Sequence, residues 1–391
     1  MIKHAVKRWD IFCKIVDNYG DIGVCWRLSR QLANEHSIHV RLIIDNIHVA
    51  QKIISNLDIS KPMQLINQVE IVASACLEKK QVNPDAVDAV IETFGCGLPE
   101  QYLKQMRPET VWINLEYLSA EKWVSGFHAK PSKHPTLPLT KYFFFPGFDE
   151  NTGGLIREKD LFKQPESFLN SEETQLTFWK KIGAEATTDL KISLFCYPQA
   201  PVKKLWDALA ITSKPISLYL PFNSTIDELV CIKKDFKLNV GEILKLGNLT
   251  IHVLPFLSQD DYDLLLLGCD LNFVRGEDSW IRALWAGKPF IWQPYIQADD
   301  THLVKLSAFL DFYLSKANPQ NKTLIYDASL NWSGYGHYQS NRLNSDIWQQ
   351  LIDAIPKLQR HGEDVTRLLS QQPDLATKLV IFSENLQRNQ V

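Results

Sequence analysis

Short apolar runs alternate with amphipathic stretches from the first residues onward. Trp9 to Val16 reads as a strand, Ile22 to His36 as a helix, and His39 to Asp45 as a second strand. Further strands are predicted at Val69 to Ala73, Ala86 to Ile91, Val111 to Leu115 and Tyr142 to Phe145. Several are apolar on successive residues, as a parallel strand covered on both faces should be. Three prolines between Phe127 and Leu139 predict a surface loop, and Asn151 to Gly154 a turn. A polar helical stretch, Ser171 to Ala184, precedes Thr187-Thr188-Asp189 and a new apolar strand, Leu190 to Tyr197. The alternation then repeats, with strands at Ile216 to Leu220, Leu249 to Leu254, Asp270 to Val274 and Pro289 to Trp292, and helices such as Asp260 to Gly268 and Ser279 to Ala286. The tail from Val365 to Leu386 has the spacing of one helix.

This is the pattern of an α/β protein built from two Rossmann-like, doubly wound domains in series, facing one cleft. The boundaries predicted are residues 1–186 for the first domain and 187–364 for the second. A length of 391 residues suits two hydrophobic cores better than one.

Composition narrows the class further. Hydrophobic residues at 45% and charged residues at 22% exclude disorder and coiled coil. A net charge of -3, from 42 basic and 45 acidic residues, supplies no general field for a nucleic-acid backbone, so any anion must be gripped locally. The seven cysteines include no Cys-x-x-Cys pair and several fall within apolar runs, which predicts reduced, buried thiols. With no apolar leader and no run near the roughly 20 residues that span a bilayer, the expected compartment is the cytoplasm, with no membrane and no nucleic-acid partner.

Two turns carry candidate chemistry. Directly after the first strand comes Asp17-Asn18-Tyr19-Gly20-Asp21-Ile22-Gly23, at the end of the sheet where open α/β folds bind ligands. Asp21 is also placed to cap the following helix, with Asp17 a turn residue, and the spacing alone accommodates either role. The run lacks the third glycine of a dinucleotide fingerprint. In the second half, the strand Asp270 to Val274 leads through Arg275-Gly276-Glu277-Asp278-Ser279 into a helix, so free backbone amides and a permanent cation suit a diphosphate. Acidic residues in a first helical turn also serve capping, which accounts for Glu277 and Asp278 equally well. Phe195, Tyr197 and Phe256 stand at strand ends, where aromatic side chains serve either as core or as a stacking surface for a base.

Together these segments resemble one family, the EarP protein-arginine rhamnosyltransferases. The resemblance is carried by Asp10 to Cys13, Asp17 to Leu28, Glu92-Thr93-Phe94-Gly95-Cys96, Asn114 to Ser119, Phe144 to Phe148, Gly154 to Glu158 and Phe273 to Ser279. It implies a GT-B fold, in which the last helix, about residues 365–391, returns to the first domain. It implies an inverting, metal-independent transferase that takes L-rhamnose from dTDP-β-L-rhamnose to a loop arginine on the N-terminal domain of translation elongation factor P, relieving stalling at proline runs. Carried over by position, the essential acids are Asp17, Asp21 and Glu277. Phe195, Tyr197, Phe256, Gln259, Arg275, Gly276, Asp278 and Ser279 fall where the donor nucleotide is held.

The chemistry suits these residues. A guanidinium is a poor nucleophile, and two carboxylates can orient it and accept its proton, with Asp21 the expected base. Arg275 and the helix amides would neutralise the departing diphosphate without a metal, and no cofactor beyond the donor is expected. Two alternatives stay open: a transferase acting on a lipid or small glycan, and a non-catalytic partner of elongation factor P.

Overall fold

The computed structural model describes residues 7–17, 19–78, 87–222, 238–333 and 346–388. Asn18, Ala86 and Cys231 lie outside the described residues. Packing divides the chain into two compact units, residues 1–159 with 371–391, and residues 160–370.

In the first unit the strands are β1 (Arg8–Cys13), β2 (His39–Ile44), β3 (Met63–Ile66), β4 (Val69–Ala73), β5 (Ala89–Thr93), β6 (Val111–Leu115), β7 (Lys130–Lys133) and β8 (Thr140–Phe144). They form one sheet in the order β3-β4-β2-β1-β5-β6-β8-β7. The six inner strands are parallel, while β3 and β7 pair antiparallel at the two edges. Counting the parallel strands alone gives the order 3-2-1-4-5-6 of a dinucleotide-type fold, whose direction reverses between β1 and β5. β5 and β6 are buried at every residue, which is why each opens on three successive apolar residues, Ala89 to Ile91 and Val111 to Ile113.

The one buried ion pair inside β1 and β2 is fully matched: Arg41 donates to both oxygens of Asp10 at 2.7 Å, and the Tyr102 hydroxyl adds a third bond at 2.5 Å. Pairing of this kind offsets the cost of removing a carboxylate from water.

The second unit holds β9 (Leu190–Leu194), β10 (Ile216–Pro221), β11 (Ile243–Leu246), β12 (Leu249–Leu254), β13 (Leu271–Arg275) and β14 (Phe290–Gln293). Their order is β11-β12-β10-β9-β13-β14, parallel except for β11, with the reversal between β9 and β13.

Three sequence expectations change. The expected boundary at 186/187 lies at 159/160, because the helices Lys163–Leu169 and Glu172–Lys181 bring Phe168, Phe178 and Trp179 into one cluster with Tyr219, Leu254 and Leu265 of the second unit. The single tail helix is two helices, Ile347–Ser370 and Leu375–Arg388. Pro373 sits in the break, since proline lacks the amide a helix needs and disfavours helical backbone before it. Residues 365–370 stay with the second unit, where Thr366 Oγ1 donates to the Leu284 carbonyl at 2.5 Å. The segment after the break packs in the first unit: Leu375, Ala376 and Leu379 join its core, and Phe382 meets Phe144 at 5.4 Å. Finally, the proline-bearing loop from Phe127 to Leu139 contains the exposed edge strand β7. A proline is tolerated there because an edge strand can leave one side unpaired.

Among the described residues, no helix is long and apolar enough to cross a membrane. The six described cysteines are unpaired thiols, five of them buried.

Candidate active site

The first constellation lies where the order of the first sheet reverses. β1 ends at Cys13, and the helix Gly20–His36 begins seven residues later, with Tyr19 at its cap and no side-chain capping bond. Asp21 is therefore not the cap. It sits inside the first turn, 3% exposed, and its carboxylate reaches back to the loop: Oδ2 accepts from the amides of Val16 at 2.7 Å and Asp17 at 2.8 Å. Both bonds fall on one oxygen. The other, Oδ1, faces the Tyr117 hydroxyl, which donates at a long 3.5 Å. Burial pushes the Asp21 carboxyl above its ordinary range, the two amide bonds pull it down, and the neighbouring Asp17 charge raises it again. The net shift is upward.

Asp17 is half-buried, and the backbone at position 20 must leave it room. A Cβ on Gly20 would stand 2.7 Å from Asp17 Oδ2. Tyr117 follows β6 and stacks on Phe94, with ring centroids 4.3 Å apart and planes at 10°. Phe94 holds a φ of +55°, uncommon for a bulky residue, at the end of β5. Beside it, Glu116 accepts from Asn114 Nδ2, and burial pushes its carboxyl upward. Tyr117, Phe94 and Glu116 were not singled out from the sequence as site residues. Their only sequence signal was membership of the segments that carry the family resemblance.

The second constellation lies at the reversal of the second sheet. β9 ends at Leu194, earlier than predicted, so Phe195 and Tyr197 follow the strand. Both rings flank Arg275: its guanidinium carbon lies 4.5 Å from the Phe195 centroid and 4.4 Å from that of Tyr197. Cation–π contact on both sides fixes the direction of a charge that is only 5% exposed. Tyr197 is held in turn, its amide donating to Gln293 Oε1 at 2.8 Å.

Gly276 adopts a φ of +61°, and the Trp292 indole donates to its carbonyl at 2.7 Å. This left-handed residue turns the chain from β13 into the helix Asp278–Ala286. Ser279 closes the turn, accepting from the Arg275 amide at 3.1 Å and donating to the Arg275 carbonyl. Its hydroxyl thus shapes the backbone that would meet a phosphate. Gln259, the first residue of the helix Gln259–Gly268, donates to Asp278 Oδ2 at 3.1 Å, and Phe256 stands half-buried just after β12. Glu277 accepts from Lys305 Nζ at 3.2 Å. Spacing gave no hint of that partner, which comes from a helix 28 residues on.

All of the second-unit residues named from the sequence therefore gather at the carboxyl ends of β9, β12 and β13. Asp17 and Asp21 gather at the corresponding end of β1.

Comparison with known proteins bears on the family and the fold. The family model described as Elongation-Factor P (EF-P) rhamnosyltransferase EarP matches residues 9–384. A protein-arginine rhamnosyltransferase of Pseudomonas putida is 40% identical over 386 residues, covering 96% of this chain and 98% of the relative. That of Pseudomonas aeruginosa is 39% identical over 378 residues, covering 96% and 98%. A solved structure from work on EarP-mediated arginine glycosylation of translation elongation factor EF-P is 32% identical, with a TM-score of 0.67, covering 97% of this chain and 99% of that one. TcCGT1 in complex with UDP, at 9% identity and a TM-score of 0.54 with 98% of this chain covered, shares the fold alone. The fold is of the GT-B class.

Proposed function

The chain belongs to the EarP family of elongation factor P rhamnosyltransferases, and from that membership we propose that it moves L-rhamnose from dTDP-β-L-rhamnose to a loop arginine on the N-terminal domain of translation elongation factor P. Transfer inverts the anomeric centre, needs no metal, and takes place in the cytoplasm. The modified factor then relieves stalling at proline runs.

The observation that carries the reading is the division of labour at Asp21. With Oδ2 occupied by two backbone amides, Oδ1 is the oxygen left to meet an incoming guanidinium. The raised carboxyl makes it a better proton acceptor than an exposed aspartate. Asp17 supplies the second carboxylate, so that the guanidinium can be gripped at two points and its charge localised as one nitrogen attacks the anomeric carbon. The arginine N–H proton passes to Asp21 Oδ1 while the bond from the anomeric carbon to the diphosphate oxygen breaks.

The leaving dTDP carries new negative charge, and Arg275, aimed by its two aromatic neighbours, stands ready to meet it. The amides at the start of the Asp278–Ala286 helix add the positive end of the helix dipole. Phe256 offers a face for thymine to stack on, and Gln259 with Asp278 a pair of polar groups for the nucleoside. Lys305 holds the Glu277 carboxylate and so stiffens the turn.

Incubation of the purified chain with elongation factor P and dTDP-rhamnose should add one deoxyhexosyl residue to the intact mass of the factor. Replacing the acceptor arginine by lysine should abolish the gain. An unmodified factor in the presence of active donor would refute the reading and return the lipid or glycan acceptor to first place.

A further inference from the structure

His302 is 4% exposed, and neither of its ring nitrogens has a hydrogen-bond partner among the described residues. A buried polar side chain left in this state costs free energy unless something else satisfies it. Its place in the fold says what that partner would be.

The helix Thr301–Tyr313 presents His302, Leu306, Phe309, Leu310 and Tyr313 inward. Its far end packs on the start of β14, Tyr313 meeting Phe290 at 5.2 Å. One turn earlier, Phe309 meets the stacked pair of Trp280 and Trp292 at 4.7 and 5.6 Å. Earlier again, Lys305 reaches Glu277 at 3.2 Å. The helix thus runs back along β14 from the carboxyl end of the sheet towards its amino end. His302 lies a further two turns, about 10 Å, beyond Phe309. That step carries it past the Trp280–Trp292 pair to the ligand side of the turn formed by Arg275, Gly276 and Glu277.

We propose that His302 binds the donor by hydrogen-bonding a hydroxyl of the transferred deoxyhexose, an assignment that rests on the function proposed above. The chemistry favours the sugar over the diphosphate. An imidazole can present a donor on one nitrogen and an acceptor on the other, which matches a hydroxyl, itself both donor and acceptor. The anionic part of the donor is met by Arg275 and the helix amides, and the nearby Lys305 ammonium is committed to Glu277. A site built to bond a hydroxyl discriminates against ligands without it, because its own buried groups are then left unpaired.

The test compares dTDP with dTDP-rhamnose by titration calorimetry on the full chain, for the wild type, His302→Ala and His302→Gln. In His302→Ala the affinity for dTDP should stay within about twofold of the wild type, while that for dTDP-rhamnose falls about tenfold. His302→Gln, which keeps a donor and an acceptor, should recover part of the loss, and the donor KM should rise more than kcat falls. Equal losses on both nucleotides would make His302 a support of the phosphate turn and overturn the assignment. Unchanged affinity for both, in variants that melt like the wild type, would make it a core residue and overturn it as well. Should the wild type bind neither nucleotide, the parent function fails and this assignment with it.

Discussion

At Asp21 the two carboxylate oxygens have different work, and a single substitution separates them. In Asp21→Asn the side-chain oxygen can still accept from the Val16 and Asp17 amides, while an NH2 group replaces the oxygen that faces Tyr117. The fold should be kept and the proposed base lost. Single-turnover transfer should drop by roughly 10²–10⁴ with dTDP affinity intact, and transfer within a few-fold of wild type would move the base to Asp17. Linkage fixes the stability side. A carboxyl raised in the folded state contributes stability below its unfolded pKa and loses it as pH rises through the folded value. The Asn variant should therefore melt at or above the wild type at pH 7, an advantage that fades in acid. The base works only when ionised, so the acid limb of the wild-type pH–rate profile should lie above the ordinary aspartate range. Because the Tyr117 hydroxyl lowers the Asp21 carboxyl, Tyr117→Phe should move that limb further up. An unmoved limb in both proteins would assign it to another group.

At the scale of the element, the turn from β13 into the Asp278–Ala286 helix depends on one left-handed residue. Gly276 at a φ of +61° lets the chain turn into the helix while the Arg275 side chain stays between Phe195 and Tyr197. An L-residue there pays roughly 1–2 kcal/mol for its Cβ. Gly276→Ala should lose about that much in urea denaturation and weaken dTDP binding at the same time. A variant with wild-type affinity would show that the turn tolerates a side chain and that its amides are aimed by other means. Sequence pattern placed this strand and helix to within one residue, since the apolar residues Leu271, Phe273 and Val274 of the strand run straight into a glycine turn. It missed the edge strands β3, β7 and β11, which are short and contain no buried residue and so carry little of that signal.

For the whole molecule, the chain leaves the first unit after Lys159 and returns to it at Gln371. The returning helix fills part of the first core with Leu375, Ala376 and Leu379, and the Leu375 amide donates to the Leu155 carbonyl at 2.9 Å. Ending the chain at Ser370 would expose that core, and burial of two leucines alone is worth about 3–6 kcal/mol. The truncated protein should lose the melting transition of the first unit, and an unchanged melt would show that the helix is dispensable. A second test concerns the reaction as a whole. If Arg275 and the helix amides neutralise the leaving group, transfer in excess EDTA should keep nearly its full rate. Restoration of a lost rate by added Mg²⁺ would show that a metal does that work.

The amino-acid sequence by itself determined the two α/β halves, the carboxyl-end turns that carry Asp17, Asp21 and Arg275, and the family. Those features are local: they follow from apolar periodicity, from glycines beside acids and bases, and from motifs read in order along the chain. Only the tertiary structure decided that Asp21 latches the loop before it, where the spacing by itself pointed to capping of its own helix. It also decided that Arg275 lies between two rings some 80 residues away in the chain, that Lys305 holds Glu277, and that helices Lys163–Leu169 and Glu172–Lys181 belong to the second unit. These contacts join residues far apart in sequence, and their partners are chosen by how the sheets and helices pack, a choice that no local pattern records.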